Sequence, residues 1–130
     1  MSKTASGISQ INLVTVPSSD QDRSIEFYVE RLGFEKRTDI PFGGNYRWVE
    51  VYPPSGTTGI ALAPPPGGEA VTAKETGITL TTGDIDATHR ALKEAGVDVD
   101  AEVSRMGDPV PPMFWFRDPD GHTLLVVEQR

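Results

Sequence analysis

The sequence predicts an α+β fold in which the order strand, helix and three strands occurs twice. Two segments are predicted to be helices, and each has an aspartate that can cap its start and a glycine that can stop it at its end. Strand-like runs surround each helix, and the two halves correspond when the sequence is shifted by about 64 residues. A chain of 130 residues with ordinary globular composition suits a single domain.

The first half begins with a predicted strand, INLVTV at 11–16. Asp20 can cap the helix that follows, and Gly33 can stop it. The apolar residues of this helix recur at helical spacing: Ile25, Tyr28, Val29 and Leu32. Three more strands are then predicted over FEKRTDI from residue 34, YRWVEVY from 46 and GIALA from 59.

The second half repeats this pattern, beginning with ITLTT at 78–82. Asp84 can cap the second helix and Gly96 can stop it. One face of this helix carries Ile85, Thr88, Leu92 and Ala95. The last strands are predicted over VDVDAEV from residue 97, MFWFR from 113 and TLLVVE from 123.

Individual residues support the duplication. A shift of 64 places Thr15 on Thr79 and Asp20 on Asp84, and a shift of 65 places the turn residue Gly56 on Gly121. Small changes of offset are what loops tolerate. The segment PPPGGEAVTAKE is too rich in proline to continue a strand. We therefore expect one domain over 1–130, with a first module at about 8–63, a linker at 64–75 and a second module at about 76–130.

Composition limits the possible partners. The net charge of −7 repels phosphate backbones and anionic lipids, so nucleic acid is not an expected partner. A cationic ligand would be attracted, although an acidic surface also simply favours solubility. There are no cysteines, which excludes thiolate metal sites and cysteine nucleophiles. No stretch resembles a signal peptide or a membrane span of about 20 apolar residues, so we expect a cytoplasmic protein without a membrane partner.

Two longer motifs resemble a known family. VPSSDQDRSIEFYVERLGFEKR at 16–37 and FRDPDGHTLLVVEQ at 116–129 are similar to the vicinal oxygen chelate superfamily. That superfamily includes glyoxalase I, extradiol dioxygenases and resistance proteins that bind bleomycin or fosfomycin. The resemblance implies two paired βαβββ modules whose strands form a curled mixed sheet around a crevice, with the helices on the outer face.

The resemblance also implies where a metal ion would be held. In the metal enzymes of the family, the four ligand positions correspond to Leu13, Ala61, Gly77 and Leu125 of this chain. None of these side chains offers a nitrogen or oxygen donor. We therefore expect no metal and no other cofactor, which disfavours a glyoxalase I mechanism.

The two histidines offer little to replace those ligands. His89 is expected on a solvated helix face, and His122 at an exposed hairpin tip after the DPDG turn. A site that recruits His122 together with Glu50 is the alternative.

Strand alternation predicts the lining of the crevice. If Leu13 and Leu125 point inward as their family counterparts do, Ile11, Thr15, Thr123 and Val127 share their face. On the third strand and its repeat, apolar residues suit the helix-covered side: Val49, Val51, Phe114 and Phe116. This leaves the alternate residues toward the crevice: Trp48, Glu50, Tyr52, Met113, Trp115 and Arg117.

The predicted ligand-binding set is therefore Leu13, Thr15, Trp48, Glu50, Tyr52, Met113, Trp115, Arg117 and Leu125. An aromatic pocket with one carboxylate is typical of sites for small molecules. The alternative is that Trp48, Met113 and Trp115 only fill the interior of the sheet. Because an unpaired buried carboxylate is costly, Glu50 is expected to pair with Arg47 or Arg117, or to lie at a subunit edge.

Two functions agree with this pattern. The first is binding of a small organic ligand without a metal, as in the drug-sequestering members of the family. The second is a lyase, isomerase or dioxygenase that uses Glu50 as catalytic general base, or a metal held by other ligands. A homodimer is expected, because two half-curled modules leave strand edges and an open crevice.

Overall fold

The computed structural model describes residues 6–129, apart from the side chain of Pro66. Strands β1 (Leu13–Pro17), β2 (Glu35–Pro41), β3 (Arg47–Tyr52) and β4 (Gly59–Ala63) form a first sheet in the order β1-β4-β3-β2. Strands β5 (Glu75–Thr82), β6 (Asp98–Val99), β7 (Met113–Arg117) and β8 (Thr123–Glu128) form a second sheet in the order β5-β8-β7-β6. The predicted α+β class and element order are confirmed.

The two sheets have matching registers. Thr15 lies opposite Ala61 in the parallel pair β1–β4, and Thr79 lies opposite Leu125 in the parallel pair β5–β8. Both partners therefore move by 64 residues between the sheets. In the antiparallel pairs, Glu50 lies opposite Ala61 and Trp115 lies opposite Leu125, so β7 is offset from β3 by 65 residues. These are the offsets that the sequence repeat predicts.

Both helices begin and end at the residues that the sequence predicts. Helix α1 (Gln21–Ile25) continues as a π-helix over Glu26–Arg31, and helix α2 spans Ile85–Glu94. The Asp20 carboxylate accepts a hydrogen bond from the Arg23 amide (3.1 Å), and that of Asp84 accepts one from the Ala87 amide (3.0 Å). Gly33 and Gly96 end the two helices at φ values of 81° and 80°, where a side chain would be strained.

The buried helix faces differ in part from the prediction. In the π-helical segment the Leu32 amide donates to the Phe27 carbonyl (3.1 Å), five residues back. The wider turn lets the neighbours Phe27 and Tyr28 both enter the core, where they are 5% and 0% exposed. Ala95, expected on the buried face of α2, is exposed because it caps the end of the helix. No helix within residues 6–129 is long and apolar enough to cross a membrane.

One hydrophobic core joins the two halves of the chain. The ring of Phe27 lies 6.2 Å from the ring of Phe116 on β7. The Tyr28 hydroxyl donates to Asp118 (3.0 Å), just after β7. Helices and both sheets therefore pack against each other through the helix-covered sides of the sheets.

Two predicted strands are shorter than expected. The sequence predicts a strand over residues 97–103, but β6 contains only Asp98 and Val99. The Asp100 amide still donates to the Trp115 carbonyl (3.0 Å), but the Trp115 amide donates to the Asp100 carboxylate (3.1 Å) instead of its carbonyl, and Arg117 also donates to this carboxylate (2.8 Å). Regular strand pairing therefore stops at this residue. Ile11 lies ahead of β1 and is 71% exposed, which removes it from the predicted lining.

Candidate functional site

Alternation along β3 and β7 separates a helix-covered face from an open face of each sheet. Val49, Val51, Phe114 and Phe116 are each 0% exposed and belong to the core shared with the helices. The residues between them therefore lie on the opposite side of the sheet. We call this side, in each sheet, the open face.

The open face of the first sheet centres on a carboxylate held by two aromatic side chains. Glu50 is half-buried, and its Oε2 accepts a hydrogen bond from Trp48 Nε1 at 2.7 Å. Its Oε1 accepts one from the Tyr52 hydroxyl, also at 2.7 Å. This hydrogen bond raises the pKa of Tyr52, because it requires the phenol to keep its proton. On the same face, Glu50 lies opposite the small Ala61, which in turn lies opposite Thr15.

The prediction that Glu50 pairs with Arg47 or Arg117 is wrong. Arg47 donates to Asp39 (2.8 and 3.0 Å) and pairs with Asp22 (2.6 Å). Arg117 donates to Asp100 (2.8 Å). The carboxylate instead accepts one hydrogen bond on each oxygen from neutral donors on its own strand, since residues two apart on a strand share a face.

The open face of the second sheet is apolar by comparison. Met113, Trp115 and Leu125 are half-buried, and Trp115 occupies the register position that Glu50 has in the first sheet. Arg117 lies at the end of β7, and its charge is engaged by Asp100. The predicted ligand-binding residues thus divide between two sheets: Leu13, Thr15, Trp48, Glu50 and Tyr52 on the first, and Met113, Trp115, Arg117 and Leu125 on the second.

The chemistry of the inherited metal positions does not fit a metal ion. Leu13, Ala61 and Leu125 lie in β1, β4 and β8, and Gly77 lies in β5 at a φ of 75°. Leu13, Ala61 and Leu125 share the open faces, but none of the four side chains carries a donor atom. Among residues 6–129, no group of three His, Cys, Asp or Glu residues is placed to hold a metal ion.

The expectation that His122 is an exposed hairpin residue is wrong. His122 is 0% exposed. The Lys74 amide donates to its Nδ1 (3.3 Å), so the hydrogen resides on Nε2, which donates to the Pro17 carbonyl (2.9 Å). The ring ties the segment before β5 to the end of β1. Since both nitrogens are used in this way, His122 is a structural residue rather than a partner of Glu50.

His89 is also less solvated than predicted. Its ring is half-buried and stands edge-on to Phe114, with 5.0 Å between ring centroids. Its Nε2 lies 2.7 Å from the Asp100 carbonyl oxygen. This histidine therefore packs α2 onto the second sheet.

A cavity beside Trp48 was not predicted. It has a volume of about 230 Å³ and lies at the start of β3, beside the connection from β2. Phe42 packs near Trp48, with ring centroids 6.3 Å apart. The sequence signal that could have indicated this cavity is the pair of aromatic residues Phe42 and Tyr46 at the two ends of the turn FGGNY. The lining includes Phe42, Tyr46, Arg47, Trp48, Pro64 and Pro65.

The fold defines a class of proteins: two paired βαβββ modules whose helices cover one face of each sheet and leave the other face open. The sequence profile of the Glyoxalase/Bleomycin resistance protein/Dioxygenase superfamily matches residues 10–126, and the chain belongs to this superfamily. Uncharacterized protein YurT of Bacillus subtilis (strain 168) is 32% identical, with 92% of this chain and 99% of YurT covered.

Two crystal structures are similar over nearly their whole length. A member of the same superfamily from Sphaerobacter thermophilus DSM 20745 has a TM-score of 0.85 and 36% identity, covering 95% of this chain and 99% of that one. TnmS3, an antibiotic binding protein from Streptomyces sp. CB03234, has a TM-score of 0.79 and 33% identity, covering 97% of this chain and 100% of TnmS3.

Proposed function

We propose that this chain binds a small organic ligand on the open faces of its sheets, without a metal ion. The observation that carries the proposal is that the open faces lack side chains that could bind a metal ion at the family's ligand positions and instead present aromatic rings and a carboxylate. The inherited ligand positions carry leucine, alanine and glycine, whereas Trp48, Glu50 and Trp115 provide rings and a carboxylate. Aromatic surface with a few fixed polar groups is typical of small-molecule sites.

The exposure of the tryptophans supports this role. The chain has two tryptophans, Trp48 and Trp115, and both lie half-buried on open faces rather than in the shared core. A ring that is only partly covered by its own chain offers surface to a ligand. The similarity to an antibiotic binding protein supports the same class of function.

The proposal includes a homodimer. Ile40, Phe42 and Tyr46 are 54%, 63% and 47% exposed, and together with Trp48 they form an apolar area around the β2–β3 turn. Exposed apolar areas of this kind mark interaction surfaces. A second copy of the chain would cover part of this area and enclose an open face.

We expect sedimentation equilibrium at tens of micromolar, on the order of ordinary assay concentrations, to give the mass of a dimer. A Phe42→Ser variant should shift the protein toward monomer, because it removes apolar surface from the interface. A Met106→Ser variant is the matched control, since Met106 is 67% exposed but lies outside the β2–β3 turn. A wild-type protein that sediments as a monomer would contradict the proposed assembly.

Tryptophan emission tests the binding proposal directly, because both tryptophans lie on the candidate faces. The protein is treated with a chelator, its metal content is measured, and it is titrated with aromatic antibiotics and with prodan, a neutral naphthalene dye. We expect saturable quenching that persists without metal. Trp48→Phe and Trp115→Phe then assign the signal to one sheet or to both.

Two results would contradict the proposal. One is stoichiometric zinc, nickel, iron or manganese whose removal abolishes binding. The other is the absence of saturable quenching by every compound up to millimolar concentration. The enzymatic alternative, with Glu50 as general base, would be favoured if a bound compound were recovered chemically changed by the wild type and unchanged by Glu50→Gln.

A further inference from the structure

The two open faces differ most at one repeated position. Glu50 and Trp115 occupy equivalent register positions, opposite Ala61 and Leu125 respectively. The first sheet therefore presents a carboxylate beside a small residue, where the second presents an indole beside a leucine. Because the backbones correspond, the difference lies in the side chains, and it gives the first open face a polarity that the second lacks.

Within residues 6–129, no cationic side chain pairs with the Glu50 carboxylate. Among the described residues, its hydrogen-bond partners are the neutral Trp48 and Tyr52. Arg47, the next residue to Trp48, is engaged by Asp39 and Asp22. Each carboxylate oxygen has accepted one hydrogen bond and retains a second lone pair for a ligand.

The carboxylate is also held in place. The ring of Tyr52 covers Gly59 so closely that a Cβ there would lie 2.6 Å from the ring. The guanidinium of Arg37 lies over the same ring, 4.4 Å from its centroid, and is anchored by Glu35 and by the Pro54 carbonyl. A fixed acceptor loses little conformational entropy when a ligand binds.

The apolar surface next to this acceptor completes the site. The indole of Trp48 donates to Glu50 through Nε1 and also lines the cavity of about 230 Å³ that contains Phe42 and Pro64. One side chain therefore connects a carboxylate to an apolar cavity. A ligand that contacts both the carboxylate and the cavity needs an apolar or aromatic body and, at one end, a group that donates hydrogen bonds to a carboxylate.

We propose that the first open face selects hydrophobic amines, with the ammonium group on Glu50 and the apolar body against Trp48 and Phe42. This inference rests on the proposed binding function and names the ligand class of the same site. An ammonium satisfies the free lone pairs with charge-assisted hydrogen bonds, whereas a ligand carboxylate is repelled there. Glu50 then serves to recognise charge, and the apolar surface of Trp48 contacts the body of the ligand.

Calorimetry with three matched probes tests the inference. The probes are 2-(1-naphthyl)ethylamine as the cation, 2-(1-naphthyl)ethanol as the neutral compound and 3-(1-naphthyl)propanoate as the anion. The wild type should bind the amine about tenfold more tightly than the alcohol, and the alcohol more tightly than the carboxylate. Glu50→Gln should bring amine and alcohol to nearly equal affinity.

Two further variants separate the local carboxylate from other effects. Glu94→Gln removes the same charge from the exposed end of α2, and it should keep the preference for the amine. Tyr52→Phe keeps the charge of Glu50 but removes one of the two hydrogen bonds that hold the carboxylate, so it should reduce the preference for the amine without abolishing it, in contrast to Glu50→Gln. Thermal unfolding of each variant confirms that it is folded.

The outcomes distinguish this inference from the function on which it rests. Equal affinities for amine and alcohol in the wild type, or a preference that survives Glu50→Gln, would overturn the inference and leave ligand binding in place. If none of the three probes binds and no aromatic compound quenches the tryptophans, the proposed function fails and the inference fails with it.

Discussion

Phe116→Ala should lower the free energy of unfolding by about 3–5 kcal/mol. Phe116 is 0% exposed and packs against Phe27, so its removal leaves a cavity in the core that joins the two modules. Equilibrium denaturation in urea measures the effect. The wild type and the variant should have similar m values if both unfold in one step.

Trp115→Ala is the matched control for this substitution. Trp115 precedes Phe116 on β7 but lies half-buried on the open face, so its removal leaves a smaller cavity. We expect a smaller loss of stability from Trp115→Ala and a larger loss of ligand binding. Equal losses of stability, or a reversed order, would contradict the assignment of the two faces.

Asp118→Ala should also be strongly destabilising, by about 3 kcal/mol. The Asp118 Oδ2 accepts from the Tyr28 hydroxyl (3.0 Å), and Oδ1 accepts from the amides of Asp120 (3.0 Å) and His122 (2.9 Å). Tyr28 is 0% exposed, so its hydroxyl would lose its partner inside the protein. Asp118→Asn should cost less, because its amide oxygen still accepts.

The pH dependence of stability is a second measurement on the contact between Asp118 and Tyr28. Burial raises the pKa of Asp118 above its ordinary value of 3.8. The contribution of this group to stability is therefore complete below pH 3.8 and is lost as the pH rises through the raised pKa. Since Asp118→Asn does not titrate, the wild type should lose stability relative to this variant over that interval. A difference that is constant with pH would contradict the raised pKa.

The fold could be predicted because its signals are local and occur twice. Asp20 and Asp84 are the N-caps of the two helices, as predicted. Gly33 and Gly96 follow the C-cap residues at positive φ, where the sequence predicts that each helix stops. The sheet registers follow the repeat because each strand has the same neighbour in both halves. The two faces of β3 could be predicted from alternation, since burying Val49 and Val51 leaves Glu50 on the other side.

The wrong predictions have different physical causes. The residues that flank the DPDG turn gave no sign that Lys74 and Pro17 enclose His122. The entry of Phe27 into the core depends on a π-helical turn, which ordinary helical spacing does not predict. By contrast, the contacts of Glu50 with Trp48 and Tyr52 could have been inferred, because side chains two apart on a strand are neighbours on one face.

The two indole N–H signals in a proton–nitrogen correlation spectrum test the central claim, metal-free ligand binding on the open faces, most directly. Each reports one face, because the chain has one tryptophan on each sheet. The measurement is made in the presence of a chelator, with a compound found to quench tryptophan emission. Binding on the open faces should shift one or both indole signals saturably, with the Trp48 signal also sensitive to Glu50→Gln. A compound that binds while both indole signals stay unchanged, or that binds only after a metal ion is added, would contradict the claim.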